Sequence, residues 1–461
     1  MSDPMLHVLL VALALALAGA VSFTLVGLVS GTDETTTIAP LTLMVVLLGA
    51  PPEGVLAFFM AAAVAKHITH AVPTALLGIP GDTMATALMR EANLLRRLGV
   101  PHVALRKMIS GSVIAALVAV PLAVAFALVL SPFGEAIKHA APWVFALAAV
   151  TIAYFSVGRW ASVAALVPFV TLIAGLQAMT AAHGVKLSIS YFLGIAVGPL
   201  VADLVRLLSP SERAAMRRDG PRRVALAPDI KDWSGYFPNP LKVLDARQSA
   251  YTVAAATISS ATFVFSPVAM TVVLGEIVGM RIRHAYHRLT SMITVRNGVT
   301  EATYIAETLI PLVAFGLPLS PVAVGPAAPL FNAPPRFTID ASSGAIHNLH
   351  TLLGPWQFLG YGLAAVVIAI LVAYPFAMNF AHRAASFVTR RVGQEAIIAV
   401  FAGLVVTISL WEGGAVGLLV TLTVGLVGGL LNRAIGFGIG AQFMGFYTAV
   451  LTVPALLAAW R

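Results

Sequence analysis

The stretch PTALLGIPGDTMATA, Pro73 to Ala87, places two prolines, two glycines and one aspartate within ten residues of an otherwise apolar region. Glycine and proline both interrupt helices, because glycine lacks conformational restriction and proline lacks an N–H donor. A carboxylate in apolar surroundings is costly and is usually retained for a function. The stretch therefore predicts a helix that is broken inside an apolar region, with Asp82 at the break.

The composition of the whole chain indicates what this apolar region is. The chain has 461 residues, of which 59% are hydrophobic and 10% charged, whereas soluble domains carry about 25% charged residues. Repeated apolar runs of about 20 residues predict membrane-spanning helices, and the alternating ten-residue pattern of a membrane β-barrel is missing from the sequence. The fold class is therefore predicted to be an all-α polytopic membrane protein.

Charge and cysteine content exclude several kinds of site. The chain has no cysteine, which excludes disulfides and thiolate metal sites. Its net charge of +9 is explained by basic cytoplasmic loops next to anionic lipid, so no nucleic-acid partner is required.

Apolar runs divide the chain into two halves of similar size. A basic hydrophilic segment separates the halves, so the predicted organisation is a first membrane repeat (1–208), a cytoplasmic linker (209–248) and a second membrane repeat (249–461). The interrupted regions are 69–89 and 299–331, and roughly 10–12 transmembrane helices are expected in all. The uninterrupted candidate spans are approximately 5–29, 40–66, 109–131, 140–157, 160–180, 188–207, 249–280, 351–380, 394–410, 414–432 and 437–459.

Two further basic segments bear on the orientation of the helices. The segment Arg90 to Lys107 is predicted to be cytoplasmic. The segment RIRHAYHR, Arg281 to Arg288, is also strongly basic. If 249–280 crosses the membrane once, this segment lies outside, against the positive-inside rule; if 249–280 is a hairpin, it returns inside.

The broken stretch has a copy in the second half. PLVAFGLPLSPVAVG, Pro311 to Gly325, aligns with it without a gap, so that Pro, Gly, Pro and Ala recur at matching positions and Ser320 faces Asp82. Paired Gly/Pro-interrupted segments are the best sequence indication of the midplane site of a secondary transporter with inverted-topology repeats. A break exposes backbone groups that a ligand can satisfy, and a half-helix N-terminus favours a carboxylate.

These motifs resemble the large membrane subunit of the tripartite tricarboxylate transporters. LLGIPGD (Leu76 to Asp82) is similar to the Leu-Asn-Ile-Pro-Gly-Glu motif of that family, and LIPLVAFGLPLS (Leu309 to Ser320) to its second-half motif. Looser similarity is found in IAPLTLMVVLLGAPPEGVL and GGLLNRAIGFGIGAQFMGFY. The sequence departs from the family at Gly78, Leu319 and Asp82, which stand where asparagine, glycine and glutamate are usual.

The resemblance implies a secondary active importer of a small organic acid, driven by a proton or another cation, in the cell membrane (inner or plasma). It also implies two partners, a small four-helix membrane subunit and an extracytoplasmic solute-binding protein, whereas a homo-oligomer is left open. No cofactor other than the coupling cation (H⁺ or Na⁺) is expected.

Candidate site residues follow from the breaks and from the family pattern. The predicted substrate-binding residues are Gly78, Pro80, Gly81, Thr83, Asn297, Gly316, Pro318 and Ser320. The predicted ion-coupling residues are Asp82, Glu307, Glu301, His67 and His70. The simpler interpretations are helix caps for the polar residues, kinks for the glycines and prolines, and interfacial histidines. No metal site is predicted.

Two other classes of membrane protein stay open as alternatives. An intramembrane enzyme requires a Ser–His pair, an aspartate dyad or a zinc-binding helix, and no convincing version is found in the sequence. Channels usually repeat by oligomerisation, whereas this chain carries an internal duplication. The sequence therefore predicts a transporter, with a channel or a membrane-embedded enzyme as the alternative.

Overall fold

A computed structural model describes residues 4–82, 84–185, 187, 189–206, 209–211, 226, 230, 233, 235–263, 267–332, 348–391 and 394–459. Within these ranges the regular secondary structure is helical, without strands. The predicted all-α fold class is thereby confirmed. Thr83 and half of the predicted linker 209–248 lie outside the described residues.

Helices make up most of the described residues in both halves of the chain. The first half contains α1 (Pro4–Val26), α2 (Glu34–Leu47), α3 (Pro52–Thr69), α4 (Met89–Arg97), α5 (Pro101–Leu130), α6 (Gly134–Phe155), α7 (Trp160–Ala182) and α8 (Ile189–Arg206). The second contains α9 (Pro240–Val243), α10 (Ala246–Ala261), α11 (Pro267–Met280), α12 (Ala285–Phe315), α13 (Pro321–Val324), α14 (Ala328–Asn332), α15 (Leu349–Leu352), α16 (Pro355–Arg391), α17 (Gln394–Ile435, two helical segments joined by a kink at Gly413 and Gly414), α18 (Ile439–Tyr447) and α19 (Val453–Ala459).

Six helices of the described chain are long and apolar enough to cross a membrane, judged by length and composition. They are Met5–Val26, Pro52–Leu77, Pro101–Phe133, Trp160–Ala182, Pro355–Arg391 and Val405–Ile435. Four shorter apolar helices accompany them: Glu34–Leu47, Phe145–Phe155, Ser190–Pro199 and Met270–Met280. The protein is a multi-pass membrane protein, although fewer helices meet these criteria than the sequence predicted.

Two of the predicted spans are wrong in their boundaries. The predicted span 40–66 covers parts of two helices, because α2 ends at Leu47 and α3 begins at Pro52, where proline suits the first helical turn. The predicted span 249–280 is also two helices, α10 and α11, of 16 and 14 residues. At about 1.5 Å per residue, each is shorter than the hydrocarbon core of about 30 Å.

Helices α10 and α11 form a hairpin that returns to the face from which it starts. Asp245, immediately before α10, lines the same cavity of about 360 Å³ as Arg281 and His284, which follow α11. Arg288 in turn lines a second cavity with Arg90 of α4. The start of α10 and the basic segments 90–107 and 281–288 therefore share one face, which decides the question left open by the sequence in favour of the hairpin.

The hydrophobic core consists of two main clusters, each built from both halves of the chain. One cluster is formed mainly by α1, α3, α5, α12 and α16, and the other mainly by α6, α7, α8, α17 and α18. Helix α5 packs along α12, and α16 packs along α3. The two halves are thus intertwined, and their inverted relation stays a prediction.

Helices α3 and α12, which lead into the two interrupted regions, are the most enclosed helices of the first cluster. The apolar 18-residue stretch within Pro52–Leu77 that is suited to cross a membrane is entirely buried inside the protein. Helix α12 is buried from Thr290 to Phe315. Polar side chains on these two helices therefore face protein rather than lipid, which is the environment that ionisable groups in a membrane require.

Candidate functional site

The first break lies where α3 loses its regular hydrogen bonding. After α3 a π-helical turn runs from Pro73 to Leu77, and Gly78 ends it with a left-handed φ of 68°, a conformation that favours glycine. Non-helical backbone follows at Pro80 and Gly81, whose carbonyls accept hydrogen bonds from Ser30 Oγ at 2.6 Å and Gly31 N at 2.8 Å. The break is therefore held by the loop between α1 and α2.

Helical structure resumes after the first break at a 3₁₀ helix, Met84–Leu88. Asp82 Oδ1 accepts a hydrogen bond from Ala85 N at 2.9 Å, which is the geometry of a helix cap. Asp82 is thus a cap, in agreement with the simpler interpretation of the sequence, but its second oxygen has other partners.

The second break repeats this local geometry. Helix α12 ends at Phe315, and Gly316 has a left-handed φ of 66°. After the buried Pro318, Ser320 caps α13, because its Oγ accepts a hydrogen bond from Ala323 N at 3.1 Å. Gly316 and Ser320 therefore repeat, at aligned positions, what Gly78 and Asp82 do in the first half.

The helices that restart after the breaks are short, and side chains of the chain itself occupy their first N–H groups. The 3₁₀ helix has five residues and α13 has four. Besides the Ser320 cap, Glu307 Oε2 accepts a hydrogen bond from Val322 N at 3.0 Å. Binding of a substrate carboxylate at these two N-termini therefore stays a prediction.

A buried group of charged side chains connects the first break with α2 and α3. The Lys66 ammonium donates to Glu34 Oε1 at 2.7 Å and to Asp82 Oδ2 at 2.9 Å. His70 Nδ1 lies 2.8 Å from the same Asp82 oxygen. His70 caps the C-terminus of α3 four residues after Lys66, so the two side chains share one helix face, and that face is directed at Asp82.

His70 extends this group to the second half of the chain. Its Nε2 lies 3.1 Å from Asn297 Oδ1 on α12. Asn297 Nδ2 in turn donates to Met108 O of α5 at 2.9 Å. The structure thus brings together Asp82, His70 and Asn297, three residues that the sequence predicted separately.

His67 and Glu301 form a second buried pair beside Lys66. His67 Nδ1 lies 3.5 Å from Glu301 Oε2 and its Nε2 lies 3.7 Å from Glu34 Oε1, while Ser112 Oγ donates to Glu301 Oε2 at 2.7 Å. The Tyr304 ring packs edge-on against the imidazole, with centroids 4.5 Å apart. Within the described chain, neither nitrogen of His67 nor Glu301 Oε1 makes a hydrogen bond. These three atoms could therefore still bond to a proton, an ion or a substrate.

Glu307, the remaining predicted coupling residue, belongs to the second break. Its backbone carbonyl accepts a hydrogen bond from Ser320 Oγ at 2.6 Å, and its side chain accepts from Val322 N. Its Oε1 has no hydrogen-bond partner among the residues that the structure describes. The predicted coupling residues are therefore divided between two places.

The loop between α1 and α2, together with the first turn of α2, reaches the segments that follow both breaks. Gly31 donates to Gly81 at the first break. A Cβ placed on Gly325, just after α13, would lie 3.3 Å from Thr35 Oγ1. Residues 31–35 therefore lie between the segments that follow the two breaks, with Glu34 directed at Lys66.

Lys66 and Glu34 were missed by the sequence prediction. Lys66 stands at the end of a predicted span, 40–66, where a basic residue is ordinary. The available signal was its position between two apolar runs, four residues before His70 on the same helix face. Glu34 had no comparable signal, because it stands in a polar stretch that resembles an ordinary loop.

Some metal-ligand geometry is present in the same group. Ligand atoms of Glu34, His67 and Asp82 lie within 4.8 Å of one another. The Lys66 ammonium, however, is bonded to two of these three side chains.

A separate cavity of about 700 Å³ on the basic face is lined by Arg106, Lys107 and Lys242 among others, and no residue of either break lines it.

Comparison with protein families matches residues 13–439 of this chain to the family described as Tripartite tricarboxylate transporter TctA family. Comparisons with curated proteins and with solved structures found no match. The match covers most of the 461 residues, both breaks and the buried charged group included. The chain therefore belongs to the tripartite tricarboxylate transporter TctA family.

Proposed function

We propose that the chain is a secondary active carrier that imports a small di- or tricarboxylic acid together with a cation, H⁺ or Na⁺. Membership of its family makes the chain a component of a tricarboxylate transport system in the cell membrane, because this family consists of transporters rather than enzymes. The proposal adds the coupled mechanism and the residues that carry it.

The observation that carries the proposal is the buried chain of contacts Glu34–Lys66–Asp82–His70–Asn297. Ionisable groups inside a membrane are costly and mark ion or substrate pathways. This chain of contacts starts at the first residue of α2 and ends on α12 of the second half. A change of charge at Asp82 would therefore alter hydrogen bonds and ion pairs in both halves of the chain.

In the proposed mechanism the substrate binds next to the two breaks, and the charged groups balance the coupling ion. The proposed substrate contacts are Gly78, Pro80, Gly81, Thr83, Asn297, Gly316, Pro318 and Ser320. The proposed coupling groups are Asp82, His70, His67 and Glu301 near the first break and Glu307 at the second. Movement of one group of helices past the other would expose the site alternately to the two sides.

The proposed partners are those of a tripartite system: a small four-helix membrane subunit and an extracytoplasmic solute-binding protein. The family to which the chain belongs is described as tripartite, which supports partners of this kind. A solute-binding protein would deliver the carboxylate to the outer face of the carrier.

Uptake into proteoliposomes tests the proposal. Radiolabelled citrate and C4-dicarboxylates are offered to vesicles that contain the protein, with imposed H⁺ or Na⁺ gradients, with and without a solute-binding protein. Saturable uptake that depends on the gradient is expected. Uptake proportional to concentration without saturation would indicate a channel instead.

The variant Asp82→Asn separates coupling from capping, because asparagine caps a helix as well as aspartate does but carries no charge. Loss of gradient-driven uptake is expected. The matched control is Asp245→Asn, since Asp245 caps α10 on the basic face and uptake should survive there. Equal uptake by Asp82→Asn and the wild type would reduce Asp82 to a cap.

A further inference from the structure

Lys66 occupies an unusual position for a lysine in a membrane protein. It lies in α3, inside a window that is wholly buried, and none of its side chain is exposed. Long basic side chains near a membrane usually extend to the interface. Lys66 does not, because its ammonium lies between two carboxylates inside the protein.

The surroundings of the ammonium are those of a bound cation. Glu34 Oε1 and Asp82 Oδ2 lie 2.7 Å and 2.9 Å from Lys66 Nζ, and His67 Nε2 lies 3.7 Å from the same Glu34 oxygen. Hard cations such as Na⁺ take carboxylate oxygens as ligands, and a lysine ammonium is a compact point charge that can take their place.

We infer that Lys66 is the resident cation of the Glu34–Asp82 pair and that this pair consequently takes no Na⁺ from solution. The inference rests on the proposed function for the role of the pair in coupling, and it narrows that function, because Asp82 then does not serve as a Na⁺ ligand. A carboxylate pair that holds a covalently attached cation needs no exchangeable one.

Removal of the ammonium would leave the carboxylate pair without its counter-charge. A buried ion pair that loses one partner leaves an uncompensated charge. Lys66→Ala leaves two carboxylates facing each other and removes the four-carbon side chain that filled the space beside them. Na⁺ is then expected to bind between Glu34 and Asp82 and to stabilise the folded state by mass action.

The experiment measures thermal unfolding of the purified full chain in detergent, with NaCl exchanged for KCl at constant ionic strength, together with binding of radioactive sodium. No substrate is required, so the outcome does not depend on whether the chain transports a carboxylate. The wild type should unfold at the same temperature in both salts, and Lys66→Ala should show a saturable rise of at least about 2 °C in Na⁺.

Two control variants assign the effect to this site. Lys242→Ala removes an exposed lysine on the basic face and should leave the indifference to Na⁺ unchanged. Lys66→Ala combined with Glu34→Gln removes one of the two carboxylates and should lose the Na⁺-dependent rise.

The wild type decides the question even if Lys66→Ala cannot be purified. Sodium binding or stabilisation of the wild type that disappears in Asp82→Asn would overturn the inference, because the pair would then hold Na⁺ despite Lys66. A wild type without such a response supports it. A Lys66→Ala protein that folds and ignores Na⁺ would also overturn it.

Discussion

Replacing Lys66 with methionine should destabilise the protein strongly, because it removes the one ammonium that Glu34 and Asp82 share. The ligand oxygens of these two carboxylates lie within 4.8 Å of each other. Two unit charges at this separation repel by about 3 kcal/mol when the effective dielectric constant is about 20. Breaking a buried ion pair from one side costs about 3–5 kcal/mol, and we expect Lys66→Met to lose that amount.

A double-mutant cycle isolates the electrostatic part of this loss. The four proteins are the wild type, Lys66→Met, Glu34→Gln and the combination of both substitutions. Unfolding is followed in detergent by the fluorescence of the six tryptophans. In the combined variant only one carboxylate remains charged, so its stability should exceed that of Lys66→Met, with an interaction energy of about 0.5–3 kcal/mol.

Two results would refute the electrostatic origin of this loss. One is a Lys66→Met protein within about 0.5 kcal/mol of the wild type, which is the range of ordinary surface substitutions. The other is a combined variant that is no more stable than Lys66→Met. Lys242→Met serves as the matched control, since Lys242 is exposed and its replacement should be nearly neutral.

Three more predictions concern Gly81 at the first break, Glu91 of α4 and the proposed coupling residue Glu301. Gly81→Ala should lower the unfolding temperature, because its Cβ would lie 2.5 Å from the backbone carbonyl oxygen of His70, whereas Gly360→Ala has open space and should not. Burial raises the pKa of Glu91 in the folded state above its usual value of 4.5. Between the unfolded-state pKa and the folded-state pKa the folded state binds more protons, so the free energy of unfolding should fall as the pH rises through that window. The unfolding temperature, measured as a function of pH, should therefore fall less steeply in Glu91→Gln than in the wild type. Glu301→Gln should lose uptake driven by a pH gradient but retain substrate exchange across proteoliposomes, and unchanged gradient-driven uptake would exclude the Glu301 carboxylate from coupling.

The buried arginine of α12 shows why side chains could not be assigned to partners from the sequence. Arg296 follows the basic segment 281–288 and resembles a further member of it. In the structure it pairs with Glu91 of α4 and, at 2.8 Å, with Glu276 of α11. These three residues come from separate segments of the chain, and only packing of α4 and α11 against α12 makes them neighbours.

Local signals in the sequence were sufficient for the all-α membrane class, the turns at the two glycines and the family resemblance. Hydropathy depends on composition alone, and Gly78 and Gly316 mark their turns because a left-handed backbone favours glycine wherever it occurs. The caps at Asp82 and Ser320 also follow from residue type, since a cap bonds to a backbone group three residues away.

The surroundings of Asp82 were decided by the tertiary structure alone. Lys66 and Glu34 are 32 residues apart, and His70 and Asn297 are 227 apart. Periodicity carries no information about contacts over such distances. The packing of α3 against the α1–α2 loop, α5 and α12 encloses these side chains and withdraws them from lipid and water, and a charge so enclosed must find its partner within the protein.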